Sequence, residues 1–135
     1  MTGKPGAKNG GSLVLVAEDE AQSRRGLVRF LHAQGYEVIE AADGRAAIDL
    51  ARERKPDVML LDLAMPGRDG LEVLKELVPV LPDTCFIIVT GNEDEKIASS
   101  CLELGAFDYV PKPVDLELLS RTMKASLRLK KPSPF

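Results

Sequence analysis

Acidic side chains stand directly after two apolar runs in this sequence. The run VMLL at residues 58–61 is followed by Asp62, and the run LVLVA at residues 13–17 is followed by Glu18 and Asp19. Neither run alternates polar with apolar residues, which is typical of a strand covered on both faces. Because neighbouring parallel strands end at the same edge of a sheet, we expect these three carboxylates to meet there. At such short range they repel one another, so they either take up protons or hold a cation.

The acidic segment after the first run limits which ligand this edge can take. A site for a phosphate-bearing cofactor such as a flavin nucleotide needs amide donors from Gly, Ser or Thr there, whereas the chain has Glu18-Asp19-Glu20. Carboxylates repel phosphate but are good ligands for Mg²⁺, which keeps waters and phosphate oxygens as further ligands. We therefore expect the site to bind phosphate only through Mg²⁺, or through Mn²⁺ in its place.

Two further polar residues follow later apolar runs. Thr90 has a hydroxyl that can donate to a phosphoryl oxygen, and Lys112 has a movable positive charge. With Asp62 as acceptor, and with a metal and a lysine to stabilise charge, phosphoryl transfer needs only positioning. The product is an aspartyl phosphate, a labile mixed anhydride that suits a transient mark.

The elements that must position these residues follow from the hydrophobic pattern. Short apolar runs alternate five times with helical patterns, which predicts a parallel sheet with helices on both faces. The predicted strands are residues 13–17, 37–41, 58–61, 86–89 and 107–110. The residues expected on the inner faces of the five helices are Leu27, Phe30, Leu31, Ala47, Leu50, Ala51, Leu71, Leu74, Leu77, Leu81, Ile97, Ala98, Cys101, Leu102, Leu116, Leu119, Met123 and Leu127.

Helix ends are marked by their usual residues. Gly35 and Gly105 end the first and fourth helices. Asp43 and Asp115 are the expected N-caps of the second and fifth helices. The second helix is expected to stop at Lys55-Pro56.

The fold class is α/β: a (βα)5 doubly wound, five-stranded parallel sheet in a three-layer sandwich. We take the strand order 2-1-3-4-5 from flavodoxin-like folds, in which crossovers are right-handed and the order reverses once. In such a sheet the functional crevice lies at the carboxyl ends of the strands beside the reversal. We expect the acidic residues, Thr90 and Lys112 at that edge.

Length and composition narrow the function classes. The 135 residues fit one domain, and 44% hydrophobic residues suffice for one core. A formal net charge of -3 argues against direct binding of nucleic acid. Cys85 and Cys101 lack the spacing of a zinc site and suit a reducing compartment. Since no apolar stretch approaches the roughly 20 residues of a membrane helix, we expect a cytoplasmic protein that binds no membrane.

The two ends of the chain differ from the part between them. Residues 1–12 are rich in Gly, Lys and Pro, which predicts a flexible leader or a remnant of cloning. Their Gly-Lys pair comes first instead of last, so they are not a phosphate-binding loop. Residues 13–130 hold the domain, and residues 131–135 are expected to be a tail or the start of a linker.

Several short motifs fall in order on the predicted strand ends. They are Glu18-Asp19, Asp62 followed by Met65-Pro66 and Gly70, Thr90-Gly91, Gly105-Ala106, Asp108-Tyr109 and Lys112-Pro113. Over about residues 12–130 the chain resembles a CheY-like receiver domain of the response regulators of two-component signalling. Each motif alone has little specificity, whereas the ordered set is highly specific.

This resemblance implies a phosphorylation site. Asp62 would accept a phosphoryl group from a phosphohistidine on a sensor histidine kinase or a histidine phosphotransfer protein. Asp19, Asp62 and the backbone carbonyl of Ala64 would bind Mg²⁺, with Glu18, which is Asp in many members, acting mostly through a metal-bound water. Lys112 would pair with the phosphoryl group and precede Pro113 through a cis bond.

The resemblance also implies a switch rather than an enzyme with its own turnover. Thr90 would move toward the phosphate and Tyr109 would turn inward, which remodels the face built from the fourth helix, the fifth strand and the fifth helix. That face would control a downstream effector domain or protein, or form a phosphorylation-dependent homodimer. Ala64 and Asn92 stand at positions that tune the phosphate lifetime. The protein would assist its own phosphorylation and dephosphorylation.

Two other functions remain open at this point. A pseudo-receiver adaptor would use the same face without phosphorylation, although such proteins normally lose part of the acidic cluster that this chain keeps. A phosphohydrolase with an Asp nucleophile is less favoured, because Leu63 and Ala64 follow Asp62 where a second Asp two residues on is usual. His32, the only histidine, stands near a predicted helix end and is expected on the surface rather than in a phosphorelay.

Overall fold

A computed structural model describes residues 11–91 and 95–130, with Glu95 and Lys130 described by their backbone alone. Within these residues, five strands alternate with five helices. In chain order they are β1 (Leu13–Ala17), α1 (Ala21–Ala33), β2 (Glu37–Ala41), α2 (Gly44–Arg54), β3 (Val58–Leu61), α3 (Gly70–Leu77), β4 (Cys85–Thr90), α4 (Glu95–Leu104), β5 (Asp108–Pro111) and α5 (Leu116–Lys130).

The strands form one parallel sheet in the order β2-β1-β3-β4-β5. This confirms the α/β class and the strand order expected from the sequence. In the register of β1 with its two neighbours, Ala17 lies level with Ala41 on β2 and with Leu61 on β3. The three strands therefore end together, and the residues that follow β1 and β3 begin side by side.

Successive residues of each strand feed opposite layers of the core. Leu15 of β1 packs with the helices α2, α3 and α4, whereas Val14 and Val16 pack with α1 and α5. Such a strand has no solvent face, which explains why β1 and β3 are continuous apolar runs. The central strands are thereby enclosed by helices on both faces, and the residues just beyond their carboxyl ends are polar.

The ends of the helices follow the expected residues. Asp43 caps α2 by accepting a hydrogen bond from the backbone N–H of Ala46, and Asp115 caps α5 in the same way. Lys55, in the left-handed region at φ 47°, ends α2 before Pro56. Gly35 follows α1 at φ 95°. These four predictions are confirmed.

Three positions predicted on inner helix faces differ. Leu81 is buried but lies beyond α3, which ends at Leu77. Leu102 is 47% exposed, because it lies about 100° around α4 from the fully buried Cys101. Leu116 is 44% exposed, because it is the first residue of α5 and borders an open cavity rather than the sheet.

Two polar residues occupy inner positions of α5 that the apolar pattern did not predict. Thr122 and Ser126 are buried, and their hydroxyls donate to the backbone carbonyls of Leu118 and Met123. Because the helix itself satisfies both hydroxyls, neither is buried without a partner.

The remaining differences are shifts of strand ends. β4 is one residue longer at each end than predicted, and β5 both begins and ends one residue later than predicted. Among the described residues, no helix has the length and apolar character needed to cross a bilayer.

Candidate functional site

The carboxyl ends of β1 and β3 bring Glu18 and Asp62 to the same point of the sheet edge. The backbone N–H of Asp62 donates to the carbonyl of Ala17 at 3.0 Å, and that of Glu18 donates to the carbonyl of Ala41 at 3.0 Å. Each residue thus continues the hydrogen bonding of its strand for one step before its loop begins. Their side chains start from a fixed backbone.

Three carboxylates converge there. Glu18, Asp19 and Asp62 each offer an oxygen, and these oxygens lie within 4.8 Å of one another. Glu18 is 1% exposed and Asp62 is 5% exposed, whereas Asp19 faces solvent. A set of clustered oxygen ligands that is open on one side suits a small hard cation such as Mg²⁺, which also keeps waters. The three residues proposed from the sequence are therefore brought together.

Lys112 faces this cluster from the end of β5. Its Nζ donates to Asp62 Oδ2 at 2.9 Å and also to Glu18 Oε1. Its backbone N–H donates to the carbonyl of Thr90 at 2.9 Å, and the bond from Lys112 to Pro113 is cis, as expected. Burial alone would lower the pKa of Lys112, but the hydrogen bonds that its amine donates to the two carboxylates outweigh this effect and raise that pKa. The amine therefore stays charged at neutral pH.

Glu18 is buried beside the carboxylate of Asp62, and both features affect its pKa. Burial raises the pKa of Glu18 above its ordinary value, and the hydrogen bond from Lys112 offsets only part of that effect. The backbone N–H of Glu20 donates to Glu18 Oε2 at 3.0 Å, which also favours the ionised form. The nearby charge of Asp62 opposes ionisation. A cation that entered the cluster would relieve this repulsion.

The loop after β3 holds the other oxygen of Asp62. The backbone N–H of Ala64 donates to Asp62 Oδ1 at 3.0 Å, while the side chain of Ala64 is exposed. Gly70 closes the loop through a 2.9 Å hydrogen bond from its N–H to the carbonyl of Leu63. A Cβ at Gly70 would lie 2.4 Å from the backbone oxygen of Asp62, so the close approach requires glycine. Both oxygens of Asp62 are thus fixed by hydrogen bonds.

Thr90 and Tyr109 lie farther along the same edge. Thr90 ends β4, is 2% exposed, and lines a cavity of about 230 Å³ together with Ala64 and Ile97. Tyr109, on β5, is half-buried against the core on the α4 side of the sheet. Asn92 lies outside the described residues. The cavity joins the end of β4 to the loop that follows Asp62.

Arg24, which no sequence pattern singled out, lies on α1 and stabilises the acidic loop before that helix. Its Nη1 donates to the backbone carbonyls of Glu18 at 2.9 Å and Asp19 at 3.4 Å, and its Nε pairs with Glu40 Oε1 at 2.9 Å. The available signal was a cation one turn inside the helix that follows the acidic pair. That signal is weak, because Arg25 stands beside it with nothing in the sequence to distinguish the two.

The N-terminus of α1 is closed by the same loop. Glu20 caps the helix and accepts hydrogen bonds from the backbone N–H groups of Gln22 and Ser23, which lower its pKa. Glu20 therefore serves the helix, and the cluster is left to Glu18 and Asp19. His32 lies exposed in the last turn of α1, as expected.

Comparison with known proteins gives one family. A family model described as "Response regulator receiver domain" matches residues 14–124. The response regulator MprA of Mycolicibacterium vanbaalenii is 40% identical over 115 residues, which is 85% of this chain and 50% of that protein. A cyclic di-GMP phosphodiesterase of Thermotoga maritima is 36% identical over 115 residues, 85% of this chain and 31% of that protein. The chain spans half or less of the length of these two curated relatives.

Solved structures agree on the architecture. A response regulator receiver domain protein from Clostridium thermocellum has a TM-score of 0.84 and 29% identity, and the match covers 88% of this chain and 96% of that one. A CheY-like receiver domain protein from Methanospirillum hungatei has a TM-score of 0.85 and 25% identity, covering 88% and 95%.

Proposed function

The chain belongs to the response regulator receiver domains of two-component signalling, and from that premise we propose that it is a phosphorylation-operated switch with Asp62 as the phosphoacceptor. The observation that carries the proposal is the environment of Asp62. This carboxylate is 5% exposed, Lys112 and the Ala64 N–H fix its two oxygens, and Glu18 and Asp19 lie beside it. A carboxylate with little solvent exposure and a fixed orientation is suited to react with an incoming group.

The acidic cluster fits a divalent cation by its chemistry. Asp19, Asp62 and the backbone carbonyl of Ala64 are the proposed ligands, with Glu18 acting through a bound water. When bound, Mg²⁺ or Mn²⁺ would neutralise charge on the carboxylates and on the transferred phosphoryl group. A bound cation is favoured where the protein itself supplies few positive charges to the acidic ligands. Among the described ion pairs, Glu18 and Asp62 share a single cationic partner, Lys112.

The residues of the chain then act mainly by position. An oxygen of Asp62 forms a bond to phosphorus while the bond from phosphorus to the donor nitrogen breaks, and the displaced imidazole of the partner takes a proton from solvent water. Lys112 leaves Asp62 to pair with a phosphoryl oxygen, and the Ala64 N–H donates to the acceptor residue. The proposed donor is a sensor histidine kinase or a histidine phosphotransfer protein in the cytoplasm.

Phosphorylation is proposed to act on the rest of the molecule through Thr90 and Tyr109. A phosphoryl group brings a charge of about -1.5 to -2, so a hydrogen bond from Thr90 is charge-assisted and contributes roughly 1.5 to 3 kcal/mol. Inverting a 99:1 equilibrium needs about 5.5 kcal/mol. Thr90 alone therefore cannot drive the change, and Lys112 and the metal must contribute. The responding surface is the face of α4, β5 and α5, which would act on an effector or a second copy of the chain.

Ala64 is proposed to lengthen the life of the phosphorylated state. Its methyl group cannot orient a water for attack on the aspartyl phosphate, and Asn92 is the second position that we expect to affect this rate. Self-dephosphorylation should therefore be slow to moderate, and an Asn at position 64 should accelerate it. A half-life of seconds that Ala64→Asn leaves unchanged would contradict this part of the proposal.

Phosphorylation by a small donor separates the switch from its alternatives. The chain is incubated with Mg²⁺ and acetyl phosphate, and its intact mass is followed. The switch predicts a gain of one phosphate that is absent in Asp62→Asn and retained in Asp83→Asn, a control at an exposed turn. Steady release of inorganic phosphate without accumulation would indicate a phosphohydrolase. No gain in the wild type would indicate an adaptor that does not use phosphorylation.

A further inference from the structure

We propose that Arg24 is a positioning residue for the metal site and holds the loop between β1 and α1 in the form that brings Asp19 to Asp62. This inference rests on the proposed function, because it assigns Arg24 a part in the Mg²⁺ binding on which that function depends. Arg24 is 18% exposed and reaches back from the first turns of α1 over the loop.

The two carbonyls that Arg24 binds are those that decide where Asp19 points. The carbonyl of Glu18 belongs to the peptide before Asp19, and the carbonyl of Asp19 belongs to the peptide after it. Arg24 Nη1 donates to the first at 2.9 Å and to the second at 3.4 Å. Because peptide units are planar, fixing both planes sets the direction of the Asp19 Cβ between them.

The position of the Asp19 side chain depends on the hydrogen bonds from Arg24 to the backbone more than the position of the Glu18 side chain does. The side chain of Glu18 is buried and bound by Lys112 and by the Glu20 N–H. Asp19 faces solvent, and its contribution to the cluster follows from the course of the loop. Loss of Arg24 should therefore displace the exposed ligand first.

Arg24 is itself anchored to the sheet. Its Nε pairs with Glu40 Oε1 at 2.9 Å, and Glu40 lies on β2, which pairs with β1. The planar guanidinium can bind a carboxylate on one side and carbonyls on another, whereas the ammonium of a lysine lacks this fixed fork. The contact links β2, the loop and α1 in one arrangement.

Because Arg24 is positively charged, the sign of the change in Mg²⁺ affinity on its replacement tests whether it positions a ligand. A cation near a cation site repels Mg²⁺, so removal of its charge alone should tighten Mg²⁺ binding. Removal of a group that positions a ligand should weaken it, and outer residues of this kind typically change metal affinity about 10- to 100-fold. The two roles predict opposite changes.

The test is calorimetric titration of the whole chain with Mg²⁺ alone, at fixed ionic strength. Arg24→Gln should raise the Kd for Mg²⁺ by about tenfold or more, and Arg24→Lys should raise it less. Arg25→Gln removes the same charge from the adjacent, exposed arginine and should leave the Kd unchanged or slightly lower. A Kd for Arg24→Gln that equals or falls below the wild-type value would overturn the proposal.

A second readout separates positioning from general damage. With acetyl phosphate as donor, the rate of phosphorylation of Arg24→Gln should return to the wild-type value at saturating Mg²⁺, so that only the Mg²⁺ concentration for half-maximal rate rises. A deficit that persists at saturation would overturn the positioning role.

Folding and the proposed function are controlled separately. Thermal unfolding without Mg²⁺ reports whether each variant folds. If Arg24→Gln does not fold, Arg24→Lys decides, and an unchanged Kd in that variant overturns the inference. Failure of the wild type itself to bind Mg²⁺ would instead overturn the proposed function.

Discussion

Lys112 has two carboxylate partners, and this fact explains much of the behaviour expected of the site without metal. Its amine contacts both Glu18 and Asp62, which are buried. A buried carboxylate without a countercharge is costly, and three nearby carboxylates with none would be more so. Lys112 thus stabilises the metal-free protein, and a bound cation can take over that task when the amine turns to a phosphoryl group.

Replacement of Lys112 by Met should therefore destabilise the protein mainly when metal is absent. Without Mg²⁺ we expect the free energy of unfolding to fall by about 1.5 to 3 kcal/mol, since two buried carboxylates lose a charged donor. Saturating Mg²⁺ should recover most of that loss, while the rate of phosphorylation stays low. Urea denaturation with and without Mg²⁺ measures the first effect, and Lys75→Met, at an exposed position of α3, is the control. Equal stability of Lys112→Met and the wild type in metal-free buffer would contradict this explanation.

At the scale of helices and strands, close packing against a glycine allows a helix to lie directly beside the site. Gly70 begins α3 directly against the backbone of Asp62, and its N–H closes the intervening loop. Gly26, within α1, has open space where a Cβ would stand. The two residues look alike in the sequence but differ in what surrounds them.

Alanine at these two positions should have opposite effects on stability. Gly70→Ala places a Cβ 2.4 Å from the Asp62 carbonyl oxygen and 2.6 Å from Leu63 Cα, so the backbone must move. We expect a loss of about 1 to 3 kcal/mol, together with slower phosphorylation because Asp62 moves too. Gly26→Ala should gain roughly 0.5 to 1 kcal/mol, since glycine is costly within a helix. Urea midpoints compare the two, and a neutral Gly70→Ala would show that the loop can adjust.

The contrast between Gly70 and Gly26 also shows which parts of the site could be predicted from the sequence. Glu18, Asp62 and Lys112 were predictable because each directly follows a strand, and strand periodicity places such residues at one edge. Arg24 and the close approach at Gly70 were not, because both depend on contacts across a loop whose course no local pattern specifies. Leu116 was misplaced for a related reason: helical spacing shows which residues share a face, but not where the sheet that covers the face ends.

At the scale of the whole molecule, the acidic edge couples stability to metal and to pH. The sheet buries β3 and all of β1 except its first residue, and it presents the carboxylates that follow both strands at one rim. A ligand that binds only the folded chain stabilises it by mass action, which amounts to about 2.7 kcal/mol when free ligand is 100 times its Kd. We therefore expect Mg²⁺ to raise the melting temperature of the wild type by several degrees and to have little effect on Asp62→Asn.

This stabilisation should decrease as the pH falls. Burial raises the pKa of Glu18 above 4.5, so in metal-free protein the folded chain binds a proton at Glu18 more tightly than the unfolded chain does. The stability that this tighter proton binding contributes is fully present below pH 4.5 and is lost as the pH rises through the folded-state pKa of Glu18. Mg²⁺ prefers the ionised carboxylate, so acid opposes its binding in the same interval. The pKa of Lys112 is raised above 10.5, and its contribution is therefore constant across this range.

Melting curves between pH 7 and 4.5, with and without Mg²⁺, measure the difference directly. In the wild type, we expect the rise in melting temperature caused by Mg²⁺ to become steadily smaller as the pH falls from 7 to 4.5. In Glu18→Gln this rise should depend less on pH, because no carboxylate at position 18 takes up a proton. A rise that is independent of pH would mean that Glu18 stays ionised throughout, in spite of its burial. The repulsion among the three carboxylates would then be too small to make the stabilisation by Mg²⁺ depend on pH.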